Sequence, residues 1–289
     1  MKPVRARVRL PNRAAIEETR RLLAGLGLHT VCQAADCPNR WECFGRKTAT
    51  FMILGGICTR DCRFCAVRSG VPERVDAGEP ARVAAAAVEL GLRYVVVTSV
   101  TLDDLPDGGA GQFVTVIEAV RARLPGAGIE VLVPDFGGDV RALDAILAAH
   151  PTVFNHNVET VRRLTPELRN RASYDRSLAV LSYAARRGSM PVKSGLMVGV
   201  GERPGEIVET LDDLRAAGCT LVTIGQYLAP SKAHFPVREQ ISDETFAGYR
   251  DHALRVGFRA VAAGPLVRSS YHAAEDYEIA RPDETTAKE

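Results

Sequence analysis

The sequence predicts a parallel α/β fold, either a βα-barrel or an open sheet, and three observations carry that expectation. Short β-rich apolar runs alternate with helical patterns from Thr50 onward, as they do where strands lie side by side and helices cross over between them. Glycines at 91, 188, 218 and 257 follow four of the helical stretches, in the position where a residue tolerant of a left-handed turn ends a helix. The chain has 289 residues, 46% of them hydrophobic, enough for one large α/β domain with a sizeable core.

The first strand candidate covers residues 50–54, Thr-Phe-Met-Ile-Leu. An alanine-rich helix is expected over 81–90, ended by Gly91, and it feeds a second strand at 94–98, Tyr-Val-Val-Val-Thr. Helix 112–123 leads to strand 129–133, and helix 140–149 to the short strand 152–155. Helix 173–187 is closed by Gly188 and precedes strand 192–198. Helix 206–217 ends at Gly218 before strand 221–225, and helix 243–256 ends at Gly257 before the last strand, 259–263. Such continuous apolar runs suit strands covered on both faces. Residues 1–49 and 265–289 lack the apolar periodicity for cores of their own and are expected to be extensions. Residues 1–13 carry five basic side chains and no acidic one. They read as an extended arm, since organelle-targeting segments are usually longer and serine-rich. The chain after Arg281 reads as a polar tail.

Charge narrows the partners. With 37 Lys and Arg against 35 Asp and Glu, the chain is too balanced for a dedicated nucleic-acid or anionic-membrane binder. No apolar run approaches the roughly 18 residues that cross a bilayer, and no signal-peptide core is present. The expectation is a soluble protein of a reducing compartment, bacterial cytoplasm before organellar matrix.

Six of the seven cysteines, Cys32, Cys37, Cys43, Cys58, Cys62 and Cys65, crowd into one short region, and Cys219 stands apart. An odd count in a chain with an ample core argues against a disulfide framework. Zinc sites usually gather four ligands, often from paired Cys-x-x-Cys turns, whereas these six fall into two threes of different spacing. Cys58-Thr-Arg-Asp-Cys62-Arg-Phe-Cys65 is compact enough to wrap three corners of one four-iron cluster, leaving an open iron for a substrate or cofactor. Cys32, Cys37 and Cys43 are spaced widely enough for three corners of a second cluster but lack a fourth cysteine nearby. Cys219 follows an expected helix end and reads as a small core residue.

The compact triad follows the first strand at once, on the face where parallel barrels place their ligands. Other loops fall on that face. The glycines of Asp103-Asp-Leu-Pro-Asp-Gly-Gly-Ala-Gly111 would let backbone approach a nucleoside or amino-acid ligand, or simply form a solvated turn. Asn155-His-Asn-Val-Glu159 ends the fourth strand, and His156 there is either ligand-facing or a satisfied structural imidazole. Residues 193–202 run into a glycine-rich turn, and residues 226–231 leave the sixth strand. Arg268-Ser-Ser-Tyr271 lies past the last strand, within reach of the barrel mouth.

These motifs together resemble the lipoyl synthases, a family of the radical S-adenosylmethionine (SAM) superfamily, over nearly the whole chain. The resemblance rests on Cys32-Gln-Ala-Ala-Asp-Cys37-Pro-Asn-Arg-Trp-Glu-Cys43, Thr48-Ala-Thr-Phe-Met-Ile-Leu-Gly55, the compact triad, residues 103–111 and Arg268-Ser-Ser-Tyr271. The wide triad beside the compact one is its most specific part. Departures are minor: Arg40-Trp41 and Thr101-Leu102 stand where family members often carry other residues. The fold it implies is a partial (β/α)6-type parallel barrel over 50–264, with an N-terminal extension, 1–49, carrying the wide triad and a C-terminal extension, 265–289, carrying the Arg-Ser-Ser-Tyr motif.

The resemblance implies two 4Fe-4S clusters and SAM as cofactors. Cys58, Cys62 and Cys65 would hold the cluster that binds and cleaves SAM. Cys32, Cys37, Cys43 and Ser269, with Ser270 as the fallback, would hold an auxiliary cluster that surrenders sulfur. Thr98, Ser99, Asn157 and Glu159 would contact SAM, and Arg268 would orient the serine or the substrate carbonyl. The implied reaction inserts two sulfur atoms at C6 and C8 of an octanoyl chain on a carrier lysine. Implied partners are the lipoyl-carrier domains of 2-oxoacid dehydrogenase E2 subunits and the glycine cleavage H protein, a flavodoxin or ferredoxin reductant, and an iron-sulfur carrier that reloads the cluster. The competing readings are another sulfur-inserting radical SAM enzyme of the biotin-synthase kind, a non-catalytic iron-sulfur carrier, and a zinc module.

Overall fold

The computed structural model describes residues 12–280, so most of the expected basic arm and the polar tail lie outside the described residues. Arg13 does not continue an arm. It opens helix α1, Arg13–Gly25, capped by the Asn12 side chain on the Ala14 amide. Short elements follow: strand β1, His29–Thr30, helix α2, Val31–Ala34, and helix α3, Arg40–Gly45. Although the N-terminal segment lacks a core of its own, Ile16, Leu23, Leu28 and Phe44 enter the main core.

The alternating region forms as the sequence implies. Strands β2, Thr50–Ile53, β5, Tyr94–Ser99, β6, Gly128–Leu132, β7, Val153–Asn155, β8, Val192–Val198, β9, Leu221–Gln226, and β10, Ala260–Gly264, pair in parallel in that order. The small parallel ladder of β3, Ile57–Cys58, and β4, Arg68–Ser69, interrupts the numbering just after β2. The crossover helices are α4, Glu79–Glu89, α5, Ala110–Arg123, α6, Val140–Ala148, the short α7, Thr165–Leu168, α8, Tyr174–Arg187, α9, Pro204–Ala216, and α10, Asp243–Arg255. Side-chain caps start several of them: Asp139 begins α6, Ser173 begins α8 and Ser242 begins α10, each satisfying an amide that the first turn leaves without a partner.

The sheet is a partial barrel. Its edges are β10 and β1, the latter pairing antiparallel with β2. Every residue of β2 and β9 is buried, which accounts for their continuous apolar sequence. Six βα steps and a seventh strand therefore leave one side unsealed, and helix α11, Ala273–Ala280, packs at the N-terminal ends of the strands. Tyr277 of α11 meets Tyr94 at 5.8 Å between ring centres, and Ala280 packs with Leu221 and Ala260.

That end of the barrel buries charge. Lys193 Nζ lies 3.3 Å from Glu130 Oε1 and 3.8 Å from Asp276 Oδ2 of α11. Tyr94 and Asn155 donate to the two oxygens of Glu130 at 3.0 and 2.8 Å. Burial, followed by the neighbouring Glu130, raises the Asp276 carboxyl against the pull of Lys193. Removing one member of such a group leaves the others desolvated and unpaired. Lys193→Met is expected to destabilise the fold by about 3–5 kcal/mol, and Lys193→Met combined with Glu130→Leu by much less; urea denaturation of the two variants measures both.

Candidate functional site

The strands end together at one rim, and the loops leaving that rim build the site. The compact triad occupies the loop between β3 and β4. Backbone amides of Arg60 and Thr101 donate to Cys58 Sγ, both at 3.4 Å, and the Cys65 amide donates to the Cys62 carbonyl. Arg60, between the cysteines, pins the loop to the barrel. Its Nε and Nη2 grip the Asp103 carboxylate at 2.9 and 2.7 Å, and Nη2 also donates to Asp135 Oδ1 at 2.6 Å. Asp135 is fully buried and takes a further donor from Arg176 at 3.3 Å. Burial pushes the Asp135 carboxyl up, but the Arg60 hydrogen bond and charge outweigh it and hold the group down at about 2.

The wide triad is carried by α2 and α3, with Cys37 in the turn between them. The C-terminal segment crosses from β10 to meet it. Asn39 Nδ2 donates to the Leu266 carbonyl at 2.7 Å, Thr50 to Ser270 Oγ at 2.8 Å, and Tyr271 to Glu42 at 3.0 Å. Two glycines make room for this strap. A Cβ on Gly225 of β9 would lie 2.2 Å from the Val267 carbonyl oxygen, and one on Gly195 of β8 would lie 2.8 Å from both Ser269 Oγ and Asn157 Oδ1.

Both triads line one cavity of about 500 Å³, together with Thr98, Ser99, Asn157, Glu159, Arg268, Ser269 and Ser270. Every candidate site residue named from sequence is thus brought to a single place. Burial raises five of the lining thiols: Cys62 is pushed up to about 11, Cys43 and Cys65 to about 12, and Cys32 and Cys37 also upward. Metal loading at such thiols must release protons. Among the described residues no three His, Cys, Asp or Glu side chains gather tightly enough for a single metal ion. An iron-sulfur cluster asks for a different arrangement, thiolates spread around a cube.

The cations fit such a group. Arg268 is largely buried and near Cys37, and Arg169 is buried and near Cys62. Arg169 donates only to the Asn157 and Val158 carbonyls, and Arg268 to the Val267 carbonyl. Among the described residues neither forms a salt bridge, although burial raises the nearby Glu159 carboxyl and the charge of Arg169 opposes that rise; a guanidinium beside each triad suits an anionic cluster.

Between the triads runs a hydrogen-bonded chain. Ser269 Oγ donates to Asn157 Oδ1 at 2.8 Å, and Asn157 Nδ2 donates to Glu159 Oε1 at 3.1 Å. Glu159 has φ +65°, a left-handed conformation that costs a residue with a Cβ and persists where its surroundings enforce it. Its amide donates to the Gly195 carbonyl and its carbonyl accepts from Met197, at 3.0 and 2.8 Å, which supplies that enforcement. Thr98 instead donates to the Leu132 carbonyl at 2.9 Å, while the Ser99 hydroxyl is buried without a protein partner among the described residues.

Two open points resolve. His156 is buried with Nδ1 against the Val133 carbonyl at 2.9 Å and Nε2 against Ser177 Oγ at 3.0 Å. Burial lowers it to about 4, so it is a neutral structural imidazole. Residues 103–111 do not present backbone to a ligand: a Cβ on Gly108 would meet Phe136 at 2.9 Å and one on Gly109 would meet Leu54 at 2.3 Å, so these glycines serve packing. Cys219 is a core residue at 0% exposure. Sequence reasoning passed over Arg60, Asp135, Arg169 and the Gly195–Gly225 groove. The signal for Arg60 was its place between cysteines facing an acidic loop.

The Radical SAM superfamily pattern matches residues 52–214. A lipoyl synthase from Caldicellulosiruptor saccharolyticus is 52% identical, covering 96% of this chain and 98% of its own. One from Symbiobacterium thermophilum is 54% identical, covering 95% and 86%. In structure, HydG, a maturase of the [FeFe]-hydrogenase, superposes with a TM-score of 0.58 at 15% identity over 93% of this chain and 69% of that one, a likeness of fold.

The Arg60 clamp predicts a pH signature. Because the folded Asp135 carboxyl sits near 2, below the ordinary value of 3.8, its contribution is complete above about pH 4 and lost as the pH falls toward about 2. Arg60→Ala is expected to cost about 3 kcal/mol near neutrality. The gap from the unsubstituted chain should close progressively below pH 4 in urea titrations of the metal-free protein; a gap independent of pH would dissociate the clamp from Asp135.

Proposed function

This chain belongs to the lipoyl synthase family of radical SAM enzymes, and from that premise we propose that it inserts two sulfur atoms, at C6 and C8, into an octanoyl chain carried on a lysine. It is an enzyme, a radical SAM sulfurtransferase that uses SAM and 4Fe-4S chemistry, and its substrates are lipoyl-carrier proteins. The observation that carries the finer reading is the shared cavity: the compact triad, the wide triad and Ser269 all open onto one space.

In this reading Cys58, Cys62 and Cys65 would hold one cluster, with Asn157, Glu159, Ser99 and Thr98 placed to contact SAM. Together these cofactors would supply radical chemistry able to take hydrogen from an alkyl carbon that no acid or base can activate. Cys32, Cys37, Cys43 and Ser269 would hold a second cluster, which would supply the sulfur. A serine oxygen among thiolates is a hard ligand on a soft site, suited to release.

The chain's own residues do the positioning. Arg60 fixes the compact loop against the loops after β5 and β6, and two backbone amides hold Cys58 Sγ in place. Arg169 and Arg268 balance negative charge at the two triads. Met52, Val133, Leu196 and Met197 line the space between them, giving an alkyl chain apolar surface and keeping water from a reactive intermediate.

Octanoylated carrier domains of 2-oxoacid dehydrogenases and of the glycine cleavage system are the proposed substrates, a flavodoxin or ferredoxin the reductant, and an iron-sulfur carrier the source of new cluster. Among the described residues no helix is long and apolar enough to cross a membrane. A bacterial cytoplasmic setting agrees with the balanced charge and with cysteines kept reduced.

The test is anaerobic. Chain reconstituted with iron and sulfide is given reductant, SAM and an octanoyl-lysine peptide, and the peptide is followed by mass spectrometry. Two added sulfurs are expected; 5'-deoxyadenosine with no peptide sulfur would overturn the assignment of substrate or donor. Cys58→Ala should abolish 5'-deoxyadenosine. Cys37→Ala should retain its formation and lose sulfur insertion, and equal loss of cofactor cleavage in both, with the remaining cluster intact, would refute the division of roles.

A further inference from the structure

Ser269 comes from the C-terminal strap and Glu159 from the segment after β7, yet one side chain touches both. Asn157 accepts from Ser269 Oγ at 2.8 Å through Oδ1 and donates to Glu159 Oε1 at 3.1 Å through Nδ2. The trio is closely confined, since even a methyl group on Gly195 would strike Asn157 Oδ1 and Ser269 Oγ, each at 2.8 Å. Ser269 therefore occupies one of the two acceptor positions of the Asn157 amide oxygen.

We infer that Asn157 couples the two cofactor sites: occupation of the wide triad frees the Asn157 carbonyl and thereby strengthens SAM binding. This rests on the function proposed above. A serine that ligates iron does so with loss of its proton, so the Fe–O bond forms as the O–H bond breaks and the proton passes to solvent. Ser269 can then no longer donate to Asn157. The amide oxygen, in a cavity where an unpaired acceptor is costly, becomes available to a hydroxyl or ammonium donor of SAM. Before loading, that donor must compete with Ser269 for the same amide oxygen.

By linkage the effect is reciprocal, so SAM also favours the serine-ligated state of the second site. The physical consequence is order. A chain whose wide triad is empty binds SAM more weakly and is less apt to generate a radical with no sulfur at hand.

The size follows from one hydrogen bond exchanged for another, about five- to tenfold in affinity. Equilibrium dialysis with SAM, under anaerobic non-reducing conditions, compares four proteins that all keep the compact cluster: the fully loaded chain, Cys37→Ala, Ser269→Ala, and the Cys37→Ala/Ser269→Ala double variant. Ultraviolet-visible spectra and iron content establish loading, and circular dichroism establishes folding. Cys37→Ala is expected to bind SAM about five- to tenfold more weakly than the loaded chain, whereas Ser269→Ala and the double variant should bind alike and near the loaded value. Equal affinity in the loaded chain and Cys37→Ala, or the same gap persisting in the Ser269→Ala background, overturns the coupling. If no protein binds SAM although its compact cluster is present, the functional reading itself fails and the coupling with it. Cys32→Ala provides a second emptied wide triad, and a result differing from Cys37→Ala would likewise overturn the inference.

Discussion

The close passage of the C-terminal strap over Gly225 and Gly195 is the constraint on which the site depends. Seven parallel strands leave the barrel open between its edges, β10 and β1. Residues 265–271 turn back from β10 over β9 and β8, with the Val267 carbonyl so near Gly225 that any side chain there would exclude it. Because the strap lies that deep, its serines reach the cavity and its flanks hydrogen-bond to Asn39, Thr50 and Glu42 of the N-terminal region. Three stretches far apart in sequence thereby enclose one space. The buried contacts of α11 with Lys193 and Tyr94 anchor the far end of the same segment.

Electrostatics divides the cavity's arginines into two kinds. Arg60 is satisfied by two carboxylates, one of them fully buried, and its work is finished when the protein folds. Among the described residues Arg169 and Arg268 donate to backbone carbonyls and form no salt bridge, and the charge of Arg169 also acts on the nearby Glu159 carboxyl, which burial raises. A buried cation without a counter-charge is costly in a purely structural role. It becomes useful where an anionic group arrives later, because the surrounding field is already organised for it. An arginine beside each cysteine triad is thus consistent with the clusters proposed above.

Much of this was legible before any coordinates. The βα alternation gave every strand of the barrel to within a residue or two, because continuous apolar strands and glycine-ended helices leave little choice of assignment. The compact triad announced itself by spacing, and the 268–271 motif by resemblance. Helix α1 was not legible, since its apolar face is completed only by the barrel it packs on. The groove was hidden for a similar reason: Gly195 and Gly225 sit inside ordinary strands, and only the strap's path reveals why no side chain is tolerated. The 103–111 loop misled in the opposite sense. Its glycines look made for a ligand, yet they accommodate Phe136 and Leu54, while its Asp103 holds the cysteine loop through Arg60.

A single cavity for both triads follows from the chemistry proposed for it. A radical able to attack an unactivated carbon will react with whatever it meets first, so its partner must already be close and water must be absent. A volume of about 500 Å³ lies within the range of sites that enclose one small ligand. Separate chambers would require an intermediate to travel between them. The architecture answers that requirement by position: the compact triad hangs from the first strands of the barrel, the strap returns from the last, and the curvature of the sheet brings the two together across the mouth. The wide triad joins the site through the same strap, which is hydrogen-bonded to Asn39, Thr50 and Glu42.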